Sequence, residues 1–248
     1  MGRLLILGGT GEAATLACLV AKTLPEVEIV TSLAGRTLAP PALPGTVRIG
    51  GFGGAEGLAA FLRAEGITAM IDATHPFAAR ISAHAAAAAE ATAVPLLALR
   101  RPGWVAAEGD RWVMADSMAD AARRLPSLGR RAFLSVGRQE IGAFAGLTGI
   151  RFLVRLLAPE ELPLADYRVV LGRGPFRVAD EIELLREHDI DVVVSKDSGG
   201  AATFAKIKAA RALALPVLMM RRPALPQVEC VADVEAAVTW LTRLCRPG

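Results

Sequence analysis

Cysteine is scarce: Cys18, Cys230 and Cys245 are the only three, they stand far apart, and no Cys-x-x-Cys pair occurs. Neither a disulfide framework nor a thiolate zinc site is indicated, and the thiols are expected to be reduced. Aromatic residues make up 5% of the chain, with one Tyr and three Trp. That leaves little with which to stack nucleic-acid bases, and the basic residues are dispersed rather than gathered in a stripe. Apolar residues make up 53% of the sequence, yet no run approaches the roughly 18 residues a membrane span needs. Leu4 to Leu7 is too short an apolar core for a signal peptide and runs directly into glycines. The expectation is a soluble, cytoplasmic protein with neither nucleic acid nor membrane as partner.

Lysine is rare too: Lys22, Lys196, Lys206 and Lys208 stand among 28 basic residues, so the formal charge of +3 rests mainly on arginine. Guanidinium forks suit planar carboxylates and phosphates. What the chain does have is a second copy of its own plan. Phe61-Leu-Arg-Ala-Glu-Gly-Ile67 returns as Leu184-Leu-Arg-Glu-His-Asp-Ile190, and each copy runs on to Arg-Arg-Pro, at 100–102 and 221–223. Apolar runs at 4–7, 28–31, 46–49, 69–71 and 96–99 alternate with helical stretches, and the alternation repeats from Ala132 onward. That is the signature of parallel, doubly wound sheets. Two Rossmann-like or flavodoxin-like α/β lobes with a cleft between them are predicted. The first would span 1–101, a connection 102–131, and the second 132–248.

The motifs sit where strands end. Leu7-Gly8-Gly9-Thr10-Gly11-Glu12 is a strand, a glycine turn and a helix start, the place where backbone N–H groups meet a pyrophosphate. Its spacing is not G-x-G-x-x-G, so a tight turn without ligand stays an alternative. The second strand ends at Ser32-Leu33-Ala34-Gly35-Arg36, with no acid for ribose hydroxyls. Ser32 and Arg36 suit a 2′-phosphate instead, which favours NADPH over NADH, unless Arg36 is only a solvated loop residue. Gly50-Gly51-Phe52-Gly53-Gly54 follows the third strand and lets backbone pass close to a ligand. After the fourth, Asp72-Ala73-Thr74-His75-Pro76 offers Thr74 as a cofactor contact and His75 as a proton donor; equally, Asp72 or Thr74 caps a helix and His75 packs. The matched loop of the second half is Ser195-Lys196-Asp197-Ser198-Gly199-Gly200, able to bind an anion through backbone and side chains.

Taken in order, Leu-Gly-Gly-Thr-Gly-Glu (7–12), Asp-Ala-Thr-His-Pro-Phe-Ala (72–78), Arg-Pro-Gly-Trp (101–104), Ser-Val-Gly-Arg-Gln (135–139), Val-Ser-Lys-Asp-Ser-Gly-Gly (194–200) and Arg-Arg-Pro (221–223) resemble the precorrin-6A reductases of cobalamin biosynthesis. The resemblance runs from Leu4 to Pro223. It implies reduction of one double bond of a corrin precursor by hydride from NADPH, without metal or flavin. It also implies a large, carboxylate-fringed tetrapyrrole as small-molecule partner, and neighbouring pathway enzymes as further candidates. Arg100, Arg138 and Arg221 are reasonable carboxylate contacts. Gly8, Gly9, Thr10, Gly11, Glu12, Ser32, Gly35, Arg36, Gly51 and Thr74, with Ser198 and Gly199, are expected at the cofactor. His75, Lys196, Asp197 or water is expected to deliver the proton.

Rival readings meet specific obstacles. A short-chain dehydrogenase needs Tyr-x-x-x-Lys, but the only tyrosine is Tyr167 and position 171 is Leu. An S-adenosylmethionine enzyme wants an acid after the second strand, where Arg36 stands. A non-catalytic NADP sensor would leave the 195–200 loop without a purpose.

Overall fold

The computed structural model describes residues 2–35 and 42–245. Arg36 lies outside the described residues. The chain divides into two compact units, one made of Met1–Pro102 with Pro223–Gly248 and the other of Gly103–Arg222.

The first unit contains β1 (Arg3–Leu7), α1 (Gly11–Thr23), β2 (Glu28–Leu33), β3 (Thr46–Ile49), α2 (Ala55–Ala64), β4 (Ala69–Asp72), α3 (Ala79–Thr92) and β5 (Leu96–Leu99). The second contains β6 (Arg111–Ala115), α4 (Met118–Arg124), β7 (Arg131–Ser135), a 3-10 segment at Arg138–Phe144, β8 (Arg151–Leu156), β9 (Tyr167–Leu171), α5 (Val178–Glu187), β10 (Val192–Lys196), α6 (Ala205–Ala212) and β11 (Pro216–Met220). The chain then returns to the first unit as β12 (Cys230–Val231) and α7 (Val234–Cys245).

Each unit has a six-stranded sheet, in the orders β12-β5-β4-β1-β2-β3 and β6-β11-β10-β7-β8-β9. All strand pairs are parallel. Parallel strands covered on both faces read as unbroken apolar runs, and Leu4 to Leu7 are at most 2% exposed. On one face Ala13, Leu16, Ala17 and Val20 of α1 share a core with Val234, Ala237 and Leu241 of α7. Their spacing of three and four residues puts them on one helical stripe. On the other, Ala85 and Ala88 of α3 join Leu58 and Leu62 of α2. Small residues let that Ala-rich helix lie close to its neighbours.

The boundaries differ from the expected ones. Residues 103–131 belong to the second unit and supply its edge strand β6, while 223–248 return to the first. The strand following β5 pairs with β11, and the strand following β11 pairs with β5. Each sheet thus takes its sixth strand from beyond the other's fifth, and the two crossings fall at the two Arg-Arg-Pro repeats. Neither strand is conspicuous in sequence: β12 has two residues, and β6 has one exposed and three half-buried positions before its single buried one.

Candidate active site

In each sheet the chain reverses its winding beside the first strand, and that reversal opens a crevice at the carboxyl ends. In the first unit it falls between β1 and β4, where Leu7 is paired with Asp72 on one side and Ser32 on the other. Gly8 N–H donates to Ser32 O at 2.9 Å, and Ala73 N–H to Leu7 O at 3.0 Å. Gly9 has φ +106°, which only glycine adopts without strain. Thr10 then caps α1: its Oγ1 accepts from Ala13 N–H at 3.1 Å and donates to Ala73 O at 2.7 Å. One hydroxyl therefore ties the glycine turn to the loop after β4. A methyl group added at Gly9 or Gly11 would meet no atom within 4 Å. The N terminus of α1 is open, and its partial positive charge favours an anion.

The β2 side carries a cation that sequence reading did not select. Arg48, paired with Ser32 in the sheet, donates to Gly50 O at 2.7 Å and Gly51 O at 2.6 Å. Its Nη1 lies 3.4 Å from Ser32 Oγ, and its guanidinium carbon sits 3.9 Å from the centre of the Phe52 ring. Ser32 itself is buried, and Gly35 follows at φ +71°.

On the β4 side Asp72 is the hub. Its Oδ1 accepts from Thr74 N–H and Oγ1–H, at 3.1 and 2.6 Å, and its Oδ2 from Ser82 Oγ–H at 2.5 Å. Thr74 is thereby fixed, and Asp72 is a buried positioning group. His75 Nδ1 accepts from Phe77 N–H at 3.2 Å, so a neutral ring carries its proton on Nε2. Glu12, expected at the cofactor, pairs with Arg101 at 2.7 Å. Arg100 donates to Pro226 O at 3.0 Å, across the point where the chain re-enters this unit.

The second unit repeats the plan with different contents. Its winding reverses between β7 and β10, where Ser135 pairs with Ser195. Lys196 Nζ meets Glu140 Oε1 at 2.6 Å over that point. A methyl group at Gly137 would collide with the Glu140 carboxylate and come within 3.5 Å of Lys196 Nζ. Here the first turn is a 3-10 segment with no side-chain cap. Asp197 Oδ1 accepts from Trp104 N–H at 2.8 Å, and Arg222 lies 3.6 Å from Oδ2. Those contacts make Asp197 a tie between the segment entering this unit and the one leaving it. Ser198 and Gly199 follow in the same loop. Arg138 and Arg221 form exposed pairs with Glu160 (3.1 Å) and Asp116 (2.9 Å).

Beneath this rim Arg155 makes two hydrogen bonds to Glu181, at 3.0 and 2.7 Å, with the carboxylate side chain 2% exposed. Lys206, 4% exposed, donates to Thr203 O at 2.9 Å. Burial pulls its ammonium down to about 7, against the attraction of Glu181.

The fold and both rims define a pair of doubly wound α/β units with an open glycine turn at a helix N terminus in the first. Comparison with known proteins sharpens the class. Residues 3–242 match the family described as "Precorrin-6x reductase CbiJ/CobK". The chain is 53% identical to a "Precorrin-6A reductase" of Rhodococcus erythropolis, covering 99% of this chain and 100% of that one. It is 48% identical to a protein of the same name from Rhodobacter capsulatus, over 97% and 96% of the two chains. The solved structure titled "CobK precorrin-6A reductase" superimposes with a TM-score of 0.93 at 46% identity, covering 99% and 98%. The chain belongs to the precorrin-6x reductase family.

Proposed function

We infer that this protein is a precorrin-6A reductase of cobalamin biosynthesis that uses NADPH. The observation that carries the cofactor assignment is the contrast between the open glycine turn of the first unit, with nothing within 4 Å of a methyl group at Gly11, and the occupied turn of the second. Gly8 to Gly11 and the start of α1 suit the pyrophosphate. Ser32, Gly35 and the Gly51 loop, on the β2 side, would hold the adenosine ribose of a dinucleotide, and Thr74 and His75, after β4, would hold its nicotinamide. Ser32 and Arg36 offer a hydroxyl and a cation, and no acid, to a 2′-phosphate. The bound nicotinamide supplies the hydride. This chain's own residues orient the reactants and keep protons where they are needed.

Asp72 locks Thr74, and Thr10 locks the Ala73 carbonyl, so the loop after β4 is held before any ligand arrives. Preorganisation of that kind lowers the cost of aligning two planes, and proximity accounts for much of the acceleration in such a step. His75 Nε2 and Lys196 Nζ are the side-chain atoms able to hold a proton for the adjacent carbon. Asp197 is better read as positioning Trp104 and Arg222. Arg100, Arg138 and Arg221 remain candidates for substrate carboxylates through donors beyond their present contacts.

The test follows nicotinamide absorbance with precorrin-6A and NADPH, alongside NADPH fluorescence titration. Reduction with stoichiometric NADPH loss is expected. Cofactor binding without turnover would instead indicate an NADP sensor. Lys196→Ala is expected to impair turnover while preserving NADPH affinity, since its rim is not the open one. Loss of both together with thermal stability would mark Lys196 as a packing residue.

A further inference from the structure

We propose that Arg48 is a further specificity-determining residue that reads the 2′-phosphate of the dinucleotide. The inference rests on the NADPH assignment and extends it to a residue outside every recognised motif.

Position comes first. Arg48 lies at the end of β3 opposite Ser32, on the side of the turn where the adenosine ribose belongs. Orientation comes second. Two carbonyls, at 2.7 and 2.6 Å, and the face of Phe52 hold the guanidinium in one plane. A guanidinium has five N–H donors, and these two bonds with the longer one to Ser32 Oγ leave two for phosphate oxygens.

Charge is the third observation, and it decides between a mere loop fastener and a ligand contact. Among the described residues no carboxylate lies within ion-pair distance of Arg48, whereas Arg101 is paired with Glu12, Arg155 with Glu181 and Arg211 with Asp110. The second unit shows what a purely structural version looks like. Arg155, on β8, also stacks on the phenylalanine of the next rim loop, with its guanidinium carbon 4.0 Å from the Phe176 ring centre. There a buried carboxylate takes the charge. Arg48 has carbonyls and a ring instead, so its positive charge remains available to a dianion. A half-buried cation pays a desolvation cost that such a ligand offsets.

The probes are 2′,5′-ADP and ADP, titrated calorimetrically, with NADPH and NADH followed by fluorescence. Arg48→Met is expected to weaken 2′,5′-ADP and NADPH by about 10- to 100-fold, the range of a lost charge-assisted contact, and ADP and NADH by less than about threefold. Arg48→Lys keeps the charge but not the fork, and should fall between. Its melting curve provides a folded comparison should the Met variant unfold. Equal losses for probes with and without the 2′-phosphate would reduce Arg48 to a fastener of the glycine loop and overturn the proposal. So would unchanged affinities. A wild-type protein that binds NADH as tightly as NADPH would overturn the cofactor assignment itself, a different result from a selective wild type with an indifferent Arg48 variant.

Discussion

The two rims are built on one plan and equipped for opposite ends. In the first, Gly9 and Gly11 face open space at the start of a capped helix. In the second, the Lys196–Glu140 pair covers the equivalent turn. Arg48 of the first has no carboxylate partner among the described residues; Arg155 of the second is buried against Glu181. The two sheets therefore share one strand order, while charged side chains cover the first turn of the second unit and leave that of the first open. Fold alone would assign two nucleotide sites. Side-chain occupancy leaves one of the two turns open.

The comparison breaks most visibly at the buried pair. Glu181→Ala leaves Arg155 desolvated without its partner, which should cost about 3–5 kcal/mol of stability. Arg48→Met removes no ion pair and should cost far less. Urea unfolding of both variants checks the difference. A Glu181 loss below about 1 kcal/mol would mean that water or another group replaces the carboxylate.

Next in size is the pair of glycines. Gly11→Val should fold normally, since its side chain enters open space, yet lower NADPH affinity at least about 100-fold, or roughly 2.7 kcal/mol. Gly137→Val should bind NADPH as before and shift melting only slightly, since it displaces the flexible end of Glu140 from Lys196. Fluorescence titration with melting curves separates the two. Normal NADPH binding by Gly11→Val would remove the first turn from the site.

Lys206 gives the second unit a pH dependence that the first lacks an equivalent for among its described residues. Burial lowers its pKa from 10.5 to about 7. Between those values the unfolded chain carries a proton there that the folded chain does not, so stability rises with pH across the window. Below pH 7 both states are protonated and this contribution is flat. Lys206→Met removes it, and its advantage over the wild type should be greatest at pH 7 and below and shrink toward pH 10. A difference constant across that range would mean the ammonium keeps its ordinary pKa.

Sequence made the periodic parts legible. The apolar runs of β1, β4, β7 and β10 announced parallel sheets, and the glycine turn, Ser32 and the loops after β4 and β10 fell at strand ends as expected. The exchanged strands were not legible, because pairing between β6 and β11, or β12 and β5, is a long-range choice that two to five residues cannot advertise. Arg48 escaped for a related reason. An arginine inside a four-residue strand looks like an exposed edge position, and only the turn at Gly50 and Gly51 shows where its guanidinium goes. The nearby Arg before a Gly-Gly-Phe-Gly-Gly run was the available signal. Glu140 and Glu12 carried no such signal, since their partners Lys196 and Arg101 lie far along the chain.

The smallest expected effect concerns the arginines of the two crossings. Arg100 is half-buried and donates to Pro226 O, so Arg100→Ala should cost about 1 kcal/mol, the worth of one hydrogen bond to a charged donor at a partly solvated site. Arg221 is 58% exposed in its pair with Asp116, and its loss should change stability by less than about 0.5 kcal/mol. Neither should alter NADPH binding. If they also hold substrate carboxylates, the Michaelis constant for precorrin-6A rises in both variants while kcat changes little, the mark of binding lost equally in ground and transition states. An unchanged Michaelis constant in both would confine the Arg-Arg-Pro repeat to fastening the exchanged strands. A rise for Arg221 alone would place carboxylate recognition on the second unit, whose first turn is covered by Lys196 and Glu140.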